Sequence, residues 1–139
     1  VRFWDSSAVV PLLVRQPASP EVDRWLAQDR EVALWTLTPL EVTSAIWRLV
    51  REGALESGEA LAADGRADEM AAASHTVVDV DAVKARARRL LRVHTLRAAD
   101  AAQLGAALVW ASDRPDGRVL HTLDERLAAA AMREGFSVP

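Results

Sequence analysis

Four acidic residues, widely separated along the chain, each stand where an apolar, strand-like run gives way to a helical pattern. They are Asp5 after Val1-Arg2-Phe3-Trp4, Glu41 after Leu37-Thr38-Pro39-Leu40, Asp100 after Leu96-Arg97-Ala98-Ala99, and Asp124 after His121-Thr122-Leu123. In a parallel α/β sheet the carboxyl ends of the strands open onto one crevice. The placement therefore predicts four carboxylates gathered at one edge. Such a gathering is costly: two unit charges about 4 Å apart repel by roughly 4 kcal/mol at an effective dielectric near 20. A divalent cation offsets that repulsion, and hard oxygen donors favour magnesium or manganese.

The rest of the pattern supports such a sheet. Short apolar runs at 1–4, 32–35, 76–80 and 119–120 read as strands, with 136–138 as an edge strand. Helical spacing covers 7–14, 20–29, a segment opened by Thr38-Pro39 and ended by Gly53, then 56–73, 82–92, 96–112 and 124–134. Ser19 before Pro20 has the chemistry of a helix N-cap, and Gly65 predicts a break within 56–73. Strands alternating with helices predict an α/β fold of three layers, a parallel sheet covered on both faces. A length of 139 residues fits one domain spanning 1–139.

Composition narrows the chemistry. The chain has no cysteine, so a disulfide frame and a thiolate zinc site are both excluded. That, with no apolar run of membrane-spanning length and no signal-peptide pattern at the start, predicts a cytoplasmic protein. Valine stands first, which fits either a missing initiator or a GTG start written literally. The formal charge of −3 means that binding to a polyanion needs a local patch. Lys84 is the only lysine among the cations. An arginine-dominated set suits bidentate phosphate contacts, and GC-rich coding gives the same bias.

Each acid also has a structural explanation. The helix dipole favours carboxylates in the first turn. Thr38-Pro39-Leu40-Glu41 has the form of a capping box, and Thr122-Leu123-Asp124-Glu125 fits one in which Glu125 takes the reciprocal position. Side-chain direction argues for more. At 100° per residue Asp100 falls on the side of Leu104 and Leu108, and Asp124 on that of Leu127 and Ala131. An acid on a buried face needs a partner, and no lysine stands near Asp5, Asp100 or Asp124. A metal ion meets that need. The chemistry of such a site is phosphodiester hydrolysis, in which metal ions polarise the phosphate and activate water. Ser6, Ser7 and Thr122 stand beside the acids as phosphate or water contacts, or else as ordinary caps. Arg97 is placed to pair with Asp100 or with a substrate phosphate.

With these residues in place the chain resembles the PIN-domain ribonucleases, and among them the VapC-type toxins of prokaryotic toxin–antitoxin pairs. The matching segments are Asp5-Ser6-Ser7-Ala8, Leu40-Glu41-Val42, Leu96 through Leu104 around Asp100, and Thr122 through Leu127 continuing to Ala131 and Gly135. The resemblance implies a four- or five-stranded parallel sheet between helices. It also implies a Mg2+ or Mn2+ site at Asp5, Glu41, Asp100 and Asp124, with Asp5 and Asp100 the firmest direct ligands. An RNA substrate (often transfer or ribosomal RNA), a small antitoxin partner and a homodimer are implied in the same way. Gln103 departs from the pattern, standing where relatives often carry histidine.

Weaker signals complete the reading. Lys84, Arg86, Arg88, Arg89 and Arg92 decorate one helix and fit a solvated face better than an RNA patch, because they wrap around more than one side. Trp47 and Trp110 point away from the apolar stripes of their helices, which fits a dimer or antitoxin contact somewhat better than burial under another helix. Trp4, Trp25 and Trp35 read as core, and His75, His94 and His121 as structural. Two competing functions stand beside nuclease activity. One is a non-catalytic PIN-like module binding RNA or protein. The other, a phospho-acceptor receiver, needs a lysine after a late strand, where this chain has none.

Overall fold

The computed structural model describes all 139 residues. Four parallel strands form the sheet: β1 (Arg2–Trp4), β2 (Val32–Trp35), β3 (His75–Val77) and β4 (Leu120–His121), in the order β3-β2-β1-β4. Seven helices connect and cover them: α1 (Ser6–Leu13), α2 (Ser19–Gln28), α3 (Thr38–Arg51), α4 (Ser57–Ala72), α5 (Val80–Val93), α6 (Ala98–Trp110) and α7 (Glu125–Glu134). A parallel bridge between Val119 and Ser137 extends the sheet beyond β4. The terminal segment expected as an edge strand thus contributes a single rung. No helix is long and apolar enough to cross a membrane.

Alternation along the strands builds two cores. Phe3, Ala33 and Trp35 belong to a cluster of 15 buried residues, the others supplied largely by α5, α6 and α7. Trp4, Val32 and Leu34 belong to a second cluster of 13, the others from α1 through α4. Successive strand residues point to opposite faces, so even these short strands feed both layers. The strand order then places the site. Chain connections run from β1 outward to β2 and β3, then return across the sheet to β4 on the other side of β1. The reversal lies between β1 and β4, and crevices outside such a reversal are where open α/β sheets bind ligands.

Several local expectations change. The third strand stops at Val77, because Asp79 caps α5 by accepting from the Ala82 amide at 2.9 Å. Gly65 does not break α4, which runs continuously through an exposed position where no side chain is needed. Ser19 is not the cap of α2: that place belongs to Ala18, and the buried Ser19 hydroxyl instead donates to the Pro11 carbonyl at 2.6 Å.

For both tryptophans packing within the chain replaces the preferred interface reading. Trp47 is half-buried against the second core, and its Nε1 donates to Asp64 Oδ2 on α4 at 2.8 Å. Trp110 packs against the first, 6.1 Å from the Phe3 ring, with the Arg118 guanidinium 5.3 Å from its own ring centre. A helix that lies between a sheet and further helices has more than one buried side, which a single-stripe reading misses. Trp4 and Trp25 hold the His121 ring between them at 4.5 and 4.6 Å, and burial pushes that imidazole down to about 4. The basic face of α5 is solvated and largely paired. Lys84 meets Asp81, Arg86 meets Asp113 and Arg89 meets Glu134.

Candidate active site

Asp5 lies where β1 becomes α1, next to the end of β4, and only 3% of it is exposed. Its backbone explains the position: extended at Asp5, with the Asp5 amide bonded to the His121 carbonyl at 2.9 Å as the last rung toward β4. Its side chain caps α1, accepting from the Ser7 amide at 3.2 Å. The same oxygen accepts from the Ser7 hydroxyl and, at 2.9 Å, from Thr122 Oγ1. Ser7 Oγ in turn accepts from the Leu123 amide at 2.8 Å, and Thr122 Oγ1 from the Asp124 amide at 3.1 Å. These bonds tie the carboxyl end of β1 to that of β4. Asp5 is held on several sides before any ligand arrives.

Glu41 approaches from α3. The capping-box expectation fails here, because α3 begins after Leu37 and no side chain caps it. Tertiary partners take the carboxylate instead. Ser6 Oγ donates to Glu41 Oε2 at 3.0 Å and also lies 3.3 Å from Asp5 Oδ1, so one hydroxyl bridges the two acids. Gln103 Nε2, from α6, donates to Glu41 Oε1 at 3.1 Å. Neither partner was visible as a contact in the sequence. Gln103 carried two signals, its departure from the histidine common in relatives and its place as a polar residue on the apolar side of its helix.

Asp100 and Asp124 form the second pair. They line one cleft of about 500 Å³ with Arg97, Ala99, Leu123, Glu125 and Arg126. Asp124 is itself the cap of α7, accepting from the Leu127 amide at 2.7 Å through Oδ1. The cap expected at Thr122, with Glu125 reciprocating, is thus supplied by Asp124 instead. Arg126 was missed by sequence reasoning, although its place two residues after an acid was a usable signal. Beside the Asp5–Glu41 pair lies a further groove of about 350 Å³, lined by Ser6, Ser7, Leu40, Glu41, Ser44 and Arg48 among others.

Asp5, Glu41 and Asp124 follow β1, β2 and β4, but Asp100 opens α6 directly after α5, so the strand-like run expected before it is not a strand; the four acids stand as two pairs, not as one ring. No three Asp, Glu or His side chains stand close enough, as they are arranged, to share one ion. Their charges nevertheless feel one another. Burial raises the Asp5 carboxyl above its ordinary range, opposed by its Ser7 and Thr122 bonds and reinforced by Asp100. Burial pushes Glu41 up to about 7, with Asp5 and Asp100 adding repulsion against the Ser6 and Gln103 bonds. Asp100 is raised by burial and then by Asp124, while Arg97 and Arg126 pull it down. Negative charge here is under-compensated by the protein, and the donors are hard oxygens. Hard oxygen donors with uncompensated charge are able to take a divalent cation.

The chain is similar in fold to two solved structures. PAE2754 from Pyrobaculum aerophilum is 23% identical, covering 99% of this chain and 89% of that one, with a TM-score of 0.62. FitAcB from Neisseria gonorrhoeae is 19% identical, covering 99% and 96%, with a TM-score of 0.66. No curated protein matches the sequence. The PIN domain profile matches residues 2–133, nearly the whole chain, and the protein therefore belongs to the PIN domain family.

Proposed function

We propose that this protein is a metal-dependent endoribonuclease, the toxin of a toxin–antitoxin pair, hydrolysing RNA phosphodiester bonds at the four-carboxylate crevice. PIN domains are usually nucleases and generally use divalent metal ions. The observation that carries the reading is the set of acids at the sheet reversal, where Asp5, Glu41 and Asp100 are all held above their ordinary range. Nothing in the chain neutralises Asp5 or Glu41: both accept only from uncharged groups. A non-catalytic module has no need of that arrangement.

In this reading Asp5 and Asp100 would hold Mg2+ or Mn2+ directly, and Glu41 and Asp124 would hold it directly or through water. A bound cation would supply neutralisation of the phosphate and a water of lowered pKa. The chain supplies the rest. Ser7 and Thr122 fix the orientation of Asp5, and Ser6 sets its distance from Glu41. Arg97 and Arg126, exposed in the same cleft as Asp100 and Asp124, receive the RNA backbone. Ser6 and Ser7 open onto the neighbouring groove with Arg48, giving the strand a polar path on the other side of Asp5. A small antitoxin would silence the enzyme by covering this crevice, and a homodimer is the expected assembly.

Incubating the purified protein with total RNA tests the proposal. Cleavage that requires Mg2+ or Mn2+, stops with EDTA and returns on adding the metal is expected. Metal-independent RNA binding without turnover over a broad panel would replace it with the binding-module reading.

A further inference from the structure

We propose that Gln103 is a positioning residue that holds the Glu41 carboxylate beside Asp5, so that the two acids can serve one divalent cation. The inference rests on the metal-dependent reading above and assigns a role to a residue outside the acid set. Gln103 is completely buried, which is unusual for a primary amide, and such a group is costly without partners. Its partners are specific. Nε2 donates to Glu41 Oε1 and to Thr38 Oγ1, each at 3.1 Å, while the Thr38 hydroxyl donates to Oε1 at 3.4 Å.

The orientation of the amide is fixed by chemistry. The nitrogen faces Glu41, the arrangement that the ionised, cation-holding carboxylate requires because it only accepts. The two Glu41 oxygens are then divided between two elements: Gln103 on α6 takes Oε1 and Ser6 on α1 takes Oε2. Without Gln103, the long and only half-buried Glu41 side chain keeps Ser6 as its one hydrogen-bond partner. Gln103 also stands one helical turn beyond Asp100 on α6. A single rigid helix therefore sets the position of Asp100 and, through Gln103, that of Glu41. An amide suits the task because it steadies the carboxylate without adding positive charge. A lysine or arginine in its place would compete with the cation for the same oxygens.

Calorimetric titration of the intact protein with Mn2+, without RNA, tests the idea. Gln103→Met removes the amide at similar volume, and Gln103→Asn keeps an amide but withdraws its reach. Each is expected to weaken Mn2+ binding roughly 10- to 100-fold, the usual effect of losing a group that orients a ligand. Thr43→Val is the control: it removes the 2.8 Å bond to Asp64 elsewhere on α3 and should leave the affinity unchanged. Wild-type affinity in both Gln103 variants, or an equal loss in Thr43→Val, would overturn the inference alone. Absence of Mn2+ binding by the wild type would overturn the metal reading and this inference with it.

Discussion

Replacing Glu41 by glutamine should change how stability depends on pH, and the sign follows from the site. The Glu41 carboxyl is raised from 4.5 to about 7 by burial and by Asp5 and Asp100. A carboxyl raised on folding ionises first in the unfolded chain. It therefore withdraws stability progressively as pH climbs from about 4.5 to about 7, and the loss is complete above that. At about 1.4 kcal/mol per unit the full shift corresponds to about 3.4 kcal/mol. Glu41 is partly exposed, and solvent screening reduces this to about 1.5 kcal/mol. His121 acts in the opposite direction: pushed down to about 4, it withdraws stability as pH falls below 6.5. The wild-type profile mixes the two, so the comparison between variants is what isolates Glu41. Urea denaturation in EDTA at pH 5 and pH 8 measures it. Part of the effect is already present at pH 5, so Glu41→Gln should gain about 1 kcal/mol on the wild type between those values. An unchanged difference, or a gain at pH 5 instead, would refute the claim that Glu41 is held in an under-compensated acidic site.

Three further outcomes are expected. Gly105→Ala should destabilise the protein by about 1–3 kcal/mol, the usual cost of overpacking. An added Cβ there would lie 2.9 Å from the Val83 carbonyl oxygen and 3.2 Å from the Ala87 amide, where α5 and α6 touch backbone to backbone; urea melts check it. His121, enclosed by Trp4 and Trp25, should keep a neutral ring to about pH 4 when followed by NMR. Asp5→Asn should retain the fold by circular dichroism, because an amide oxygen still caps α1, while RNA cleavage falls at least about 100-fold.

The sheet was legible because alternating strand and helix patterns are local, and the strand ends could be located to within a few residues. Asp5 and Asp124 show why the acids were harder to weigh. Both are helix caps in fact, so the plain explanation and the chemical one describe the same side chains. Glu41 is the opposite case. Its local motif promised a cap, but partners 35 and 62 residues away claim both oxygens. No spacing rule reveals such contacts. The tryptophans failed for a related reason: α3 and α6 are each packed on more than one side, and amphipathic reasoning assumes one. The sequence also could not show that the acids stand as two pairs, since that depends on side-chain torsions, and the run before Asp100 that looked like a strand is only the link from α5 to α6.

In the proposed enzyme Asp5 and Asp100 would act on a single cation between the two pairs. Anomalous diffraction from crystals grown with Mn2+ examines this directly. A manganese peak at ligand distance from both carboxylates, with Glu41 or Asp124 drawn toward it, is the expected result. Ordered Asp5 and Asp100 with no manganese between them, in protein still able to cleave RNA, would contradict it.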